Sequence, residues 1–280
     1  MKKYGILITI LLILGLGIGF LLLHNSIPKS VETEKSISQT PTLYIHGYGG
    51  TANSTNDMIA SAEKSGKAKK ILTATVSPTG DVTYTGRWKY TEKNPIVQVI
   101  FKRNNAQIPE EGRWIGKITD YLKASYDIKK INLVTHSMGG SSAMYWAESV
   151  RKKSSPILNK FVPIADPING VLGMDEKANK NYFLKNDEPA IKTTNYQSYY
   201  SKRKNFPSTA KVFVIYGDVN DGSNSDTSVS IASARSMNYL LKGQVKSYEE
   251  LKITGENAQH SKLHRNLQVD KAVIQFLWGK

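Results

Sequence analysis

The chain has 280 residues, with 38 Lys and Arg against 23 Asp and Glu, and no cysteine. That length suits one large α/β domain, and the absence of thiols excludes disulfides, a lipoprotein cleavage motif and a cysteine nucleophile. A net charge of +15 could serve nucleic acid, but the lysines are scattered and no nucleic-acid module is recognisable; attraction to anionic headgroups or wall polymers is the plainer expectation.

Residues 4–23 form an almost uninterrupted apolar run behind Lys2 and Lys3, about the 20 residues that cross a bilayer. The basic flank predicts an amino end held inside. His24-Asn25-Ser26-Ile27-Pro28 lacks the small-residue pattern of a cleaved signal. The expectation is an uncleaved single-pass anchor over 1–24, with everything after it extracellular; secretion after cleavage is the alternative. Residues 25–40, rich in Ser, Thr, Glu and Lys, read as a polar tether, and 41–280 as the folded domain.

Apolar, β-branched runs recur at Leu43–His46, Ile71–Val76, Ile96–Phe101, Ile131–Val134, Phe161–Ile164, Val212–Tyr216 and Leu251–Ile253, with helical patterns between many of them. Such alternation predicts an α/β fold, a mostly parallel sheet with helices on both faces. Thr42-Leu-Tyr-Ile-His46 runs into Gly47-Tyr48-Gly49-Gly50, a turn able to aim bare N–H groups. A helix is expected over Glu110–Tyr126, with Trp114, Ile115, Ile118, Tyr121 and Leu122 on its apolar face.

Ile131 to Gly140 reads Ile-Asn-Leu-Val-Thr-His-Ser-Met-Gly-Gly, an apolar strand ending in a serine among small residues and followed by helix-compatible sequence with Met144, Tyr145, Trp146 and Val150 as apolar members. This is the pattern of a nucleophile elbow, in which a sharp strand-to-helix turn exposes the serine hydroxyl. Ser137 is therefore the candidate nucleophile. Thr135 stands where the pattern has its first glycine, and a β-branched side chain there should crowd the turn. From Pro167 to Phe206 periodicity fades into a segment rich in Asn, Gly and Tyr, read as a small cap.

A serine nucleophile requires a base within reach and an acid that orients the base. Only His260 and His264 follow Ser137 in the chain, and three aspartates, Asp218, Asp221 and Asp226, follow the strand at 212–216. The aspartates could instead hold Ca²⁺, but the glycine falls one place too early for a calcium loop and no distal glutamate completes it. His46 is expected to brace its glycine-rich loop, His136 is the variable residue of the elbow, and His24 borders the apolar run. No zinc spacing, phosphate-binding loop or dinucleotide motif is present, so no cofactor and no metal is expected.

Taken together, His46-Gly-Tyr-Gly-Gly50 and Thr135-His-Ser-Met-Gly-Gly140 resemble the small secreted bacterial triacylglycerol lipases, and also the Gram-positive cell-surface α/β hydrolases of unassigned function. The likeness spans roughly 41–280 and is dense at the motifs. It implies an α/β-hydrolase fold with oxyanion donors at the N–H groups of Met138 and Tyr48 and the chain order serine, acid, histidine. Asp226-Thr-Ser-Val229 is similar to the lipase acid loop, which favours Asp226 over Asp218 and then Asp221. His260, ahead of Leu263 and Val269, is similar to the loop histidine that precedes the last helix, with His264 as the alternative.

The implied activity is hydrolysis of carboxylic esters through an acyl-enzyme, on an acyl lipid or an ester-decorated envelope polymer. Two other readings fit the same residues: a decayed hydrolase that binds anionic lipids or wall polymers, and an acyltransferase.

Overall fold

Eight strands pair into one sheet in the computed structural model of the chain, which describes residues 39–279. They are β1 (Thr42–Ile45), β2 (Lys69–Val76), β3 (Val82–Gly86), β4 (Pro95–Phe101), β5 (Lys130–His136), β6 (Ile157–Ile164), β7 (Lys211–Asp218) and β8 (Ser247–Thr254). Their order is β3-β2-β4-β1-β5-β6-β7-β8, parallel throughout except for the antiparallel β2–β3 edge. The central strands carry Val, Ile and Leu on both sides because both faces are covered by helices, the condition under which parallel sheets exist.

On one face α1 (Asn53–Lys64) and the last helix (Leu267–Trp278) bury Met58, Ile59, Val269 and Val273 against Tyr44, Ile96, Val134 and Ile215. On the other, α2 (Ile108–Tyr126) and α3 (Met138–Tyr145) bury Trp114, Ile118, Leu122 and Met144 against Leu43, Val97, Phe101 and Leu133. Each of these buried aliphatic side chains contributes on the order of 1.5–3 kcal/mol.

The chain winds from β1 toward β2 and β4 on one side, and from β5 toward β8 on the other. The order therefore reverses between the paired strands β1 and β5, and in such sheets ligands bind beyond the carboxyl ends of the strands at that reversal. Ile45 pairs with Thr135, which sets the His46 loop beside Ser137.

Several expectations need correction. α2 begins at Ile108, two residues earlier than expected, because Gln107 and Glu110 form a reciprocal capping box and Pro109 fits the first turn. Tyr121 is not on its buried face: it is 36% exposed and stacks on Tyr84, while Gly112, Gly116 and Thr119 fill the face. β3, with no apolar run, is a half-exposed edge strand that the pattern did not announce. Gln39, assigned to the tether, is buried, with its amide donating to the Lys89 carbonyl at 2.8 Å and its oxygen accepting from Trp88 Nε1. Thr135 is wholly buried in β5, and its hydroxyl has no hydrogen-bond partner among the described residues.

Between Pro167 and Phe206 the main regular element is α4 (Thr194–Lys202). Tyr196 and Tyr199 pack down into the core, whereas Tyr182 is exposed. The predicted anchor, and all of the tether but residues 39 and 40, lie outside the described residues. Among the described residues no helix is long and apolar enough to cross a membrane.

Candidate active site

Ser137 joins β5 to α3 with φ 53° and ψ −136°, a left-handed conformation that a non-glycine residue adopts only when its surroundings impose it. The approach of the His46 loop imposes it here. A Cβ on Gly139 would lie 2.5 Å from the His46 carbonyl oxygen, and one on Gly47 would lie 2.6 Å from Ser137 Cβ. Only glycine permits the two turns to pack this closely.

The Ser137 hydroxyl donates to His260 Nε2 at 3.0 Å, and His260 Nδ1–H donates to Asp226 Oδ2 at 2.8 Å. The other oxygen of Asp226 accepts from the N–H groups of Ser228 and Val229, at 2.9 and 2.7 Å. Asp226 is only 1% exposed, so these contacts fix its carboxyl group completely. The His260 N–H also returns to the Asp226 carbonyl at 2.7 Å, which ties the histidine loop to the acid loop through main chain as well as side chain.

His260 is held from behind by a residue that sequence reasoning left without a role. His136 Nε2–H donates to the His260 carbonyl at 2.9 Å, and its ring packs 4.8 Å from that of His260 and 4.7 Å from that of His264. Burial, with His260 and His264 adding to it, holds the His136 imidazole well below the usual histidine range. It is therefore a neutral brace. Its only sequence signal is adjacency to Ser137.

His46 fulfils its expected bracing role. Wholly buried, it donates from Nδ1 to the Gly47 carbonyl at 2.9 Å and accepts the Phe101 N–H at Nε2, 3.0 Å. Burial lowers its pKa, in keeping with a neutral ring that both donates and accepts. Asn104, absent from the sequence reading, pins the same loop: its carbonyl accepts from Gly49 N–H and its side chain donates to the Gly50 carbonyl. The N–H groups of Tyr48 and Met138 donate to no acceptor among the described residues. Met138 is the first residue of α3, where the helix dipole favours negative charge, and Tyr48, on the loop after β1, lines the same cleft as Ser137.

The remaining candidates lie elsewhere. Asp218 forms an ion pair with Lys252 at 2.6 Å, and Asp221 is exposed with its carboxyl group on the Ser223 N–H. With Asp226 on His260, the three aspartates do not share a site. His264 sits in a short turn at Leu263–Arg265, buried against His136 and not bonded to Ser137.

Ser137, Met138, Tyr48 and His260 open onto a cleft of about 700 Å³. Pro167, Val171, Met174, Asp175, Asn195 and Tyr199, all from the segment 167–206, form its far wall. The acid loop supports that wall, since Leu172 N–H donates to the Ser228 carbonyl at 2.9 Å and Ser230 Oγ donates to the buried Glu176 at 2.6 Å.

Residues 29–280 match a family described as alpha/beta hydrolase of unknown function, DUF915. The chain belongs to that family. Among solved structures, the product of the lin2722 gene of Listeria innocua is 26% identical, with a TM-score of 0.78 over 85% of this chain and 94% of its own. A protein of Lactobacillus plantarum WCFS1 named as a cell surface hydrolase is 22% identical, with a TM-score of 0.69 over 86% and 90% of the two chains. The mature Bacillus licheniformis lipase BlEst2 shares the fold at 14% identity, with a TM-score of 0.51 over 85% and 92%. No curated protein matches the chain. The family match makes this DUF915 chain an α/β hydrolase, and the solved structures share its mostly parallel fold.

Proposed function

We propose that this DUF915 chain is a serine carboxylester hydrolase that works through an acyl-enzyme. The observation that carries the reading is the unbroken path from Ser137 Oγ to His260 to Asp226, at 3.0 and 2.8 Å, facing a cleft large enough for an ester. His260 Nε2 takes the hydroxyl proton as Oγ attacks the ester carbonyl carbon, and the carbonyl oxygen becomes the oxyanion held by the N–H groups of Tyr48 and Met138. Collapse expels the alcohol, which receives the proton from His260. Water then repeats the sequence on the acyl-Ser137 ester and releases the acid.

In this reading residues 167–206 act as a cap that shapes the cleft, and residues 1–24 anchor the chain with the hydrolase domain outside the membrane. The positive charge of the whole chain draws it toward anionic lipids or wall polymers, where an acyl lipid or ester-bearing envelope polymer would be the substrate. The test is hydrolysis of a series of p-nitrophenyl esters by the wild type and Ser137→Ala. Loss of turnover in the variant, at unchanged circular dichroism, is expected; equal turnover would overturn the reading.

A further inference from the structure

The charge of the cleft runs against the charge of the chain. The sequence has an excess of 15 positive charges, yet among the described residues no Lys or Arg lines the cleft. Its one carboxylate belongs to Asp175. That side chain is set in place by its own loop, because Oδ1 accepts the Val171 N–H at 2.7 Å and Asp175 N–H donates to the Val171 carbonyl at 3.3 Å. Asp175 is exposed, its second oxygen accepts no hydrogen bond and it joins no ion pair among the described residues. Two aromatic rings, Tyr48 and Tyr199, line the same cleft.

A carboxylate held by its own loop, in a cleft whose lining includes two aromatic residues and no Lys or Arg, is an environment that stabilises an ammonium group. An anionic acyl group would meet Asp175 and find no partner inside. Surface lysines more than a Debye length away, about 8–10 Å at ordinary ionic strength, are screened from the cleft. On these grounds we infer that the cleft selects esters bearing an ammonium group, with Asp175 as the specificity-determining residue. The inference rests on the serine hydrolase reading and narrows its substrate class: basic surface outside, cation-selective site within.

A matched pair of thioesters tests it, using the full chain in detergent. Butyrylthiocholine carries a quaternary ammonium, and S-(3,3-dimethylbutyl) thiobutyrate replaces its nitrogen by carbon. A colorimetric thiol reagent reads the released product alone, because the chain has no cysteine. The wild type should prefer the cationic ester by about tenfold in kcat/KM at low salt, the size expected of one partly solvated ion contact with aromatic help. Asp175→Asn, which keeps an acceptor for the Val171 N–H, should bring the ratio near one, and Asp175→Lys should reverse it.

A second measurement does not depend on turnover. Butyltrimethylammonium should slow labelling of Ser137 by a neutral fluorophosphonate in the wild type and not in Asp175→Asn, whereas 3,3-dimethylbutanol should protect both equally. Equal rates for the two thioesters, or equal protection by the two competitors, with Ser137 still labelled, would overturn the cation selectivity and leave the serine hydrolase reading standing. An unlabelled Ser137 in folded protein would overturn both.

Discussion

At Ser137 the backbone is held at φ 53°, and its hydroxyl meets His260 at 3.0 Å where the residue lines the cleft. Groups joined this way act as a unit. Ser137→Ala and His260→Ala should each lower kcat by roughly 10⁴-fold or more, and the double variant should fall little further, as linked catalytic groups are grossly non-additive. Single-turnover rates of the three proteins check this; additive losses would separate the two residues. Asp226→Asn should cost about 10⁴-fold in kcat by leaving His260 in the wrong tautomer, while Asp218→Asn, which removes the charge paired with Lys252 and keeps an acceptor for the Asn220 N–H, should keep wild-type turnover. Gly47→Ala would drive a Cβ to 2.6 Å from Ser137 Cβ, and a fall of about 10²–10³-fold in kcat with a native circular dichroism spectrum is expected of a displaced oxyanion donor. Ser137, His260 and Asp226 were legible because each sits in a local pattern: elbow, acid loop, loop before the last helix. His136 and Asn104 were not, since their contacts, to the His260 carbonyl and to the Gly49–Gly50 loop, join segments distant in sequence and no local pattern encodes them.

Among the elements, α2 and α3 meet through buried polar groups. Glu111, wholly buried on α2, accepts from Ser142 Oγ of α3 at 2.7 Å, and burial pushes its carboxyl up to about 8 from an ordinary 4.5. Burial likewise pushes Glu148, just beyond α3, up to about 8. In the unfolded chain both ionise near 4.5. Between that value and about 8 the folded state therefore holds more protons, and stability falls as pH rises. His46 and His136 act in the opposite sense, since burial keeps them neutral and stability rises with pH only up to their ordinary 6.5. The net fall should appear between pH 6.5 and 8. Thermal melts across that window should show it, and Glu111→Gln should remove about 1 kcal/mol of the fall; a variant with an unchanged slope would contradict a neutral buried Glu111. Long apolar strands and α2 were legible from periodicity, because burial on both faces or on one stripe leaves a repeated signature. β3 was not, because only one side of an edge strand needs apolar residues and its alternation is short.

For the whole molecule, the parallel course of β1, β5, β7 and β8 places the four loops that follow them, carrying Gly47, Ser137, Asp226 and His260, at one end of the sheet, and the order reverses between β1 and β5 at that end. The fold class could be read from the alternation of strand and helix patterns, and a cap could be expected over 167–206; the shape of the cleft wall could not, because that segment is mostly irregular chain whose course depends on contacts to the acid loop rather than on propensity. With its net charge of +15, the chain should bind anionic vesicles more tightly than neutral ones, and this preference should weaken several-fold between low salt and 0.5 M salt as screening shortens the field. Ser137→Ala should leave that binding unchanged, so surface attraction and ester chemistry separate in co-sedimentation. The central claim is an activated serine at position 137. Its most direct measurement is mass-spectrometric mapping of a fluorophosphonate adduct on the wild type, Ser137→Ala and His260→Ala. The account predicts an adduct on Ser137 in the wild type and none in either variant; a folded wild type that stays unlabelled, or a Ser137→Ala protein labelled as fast, would contradict it.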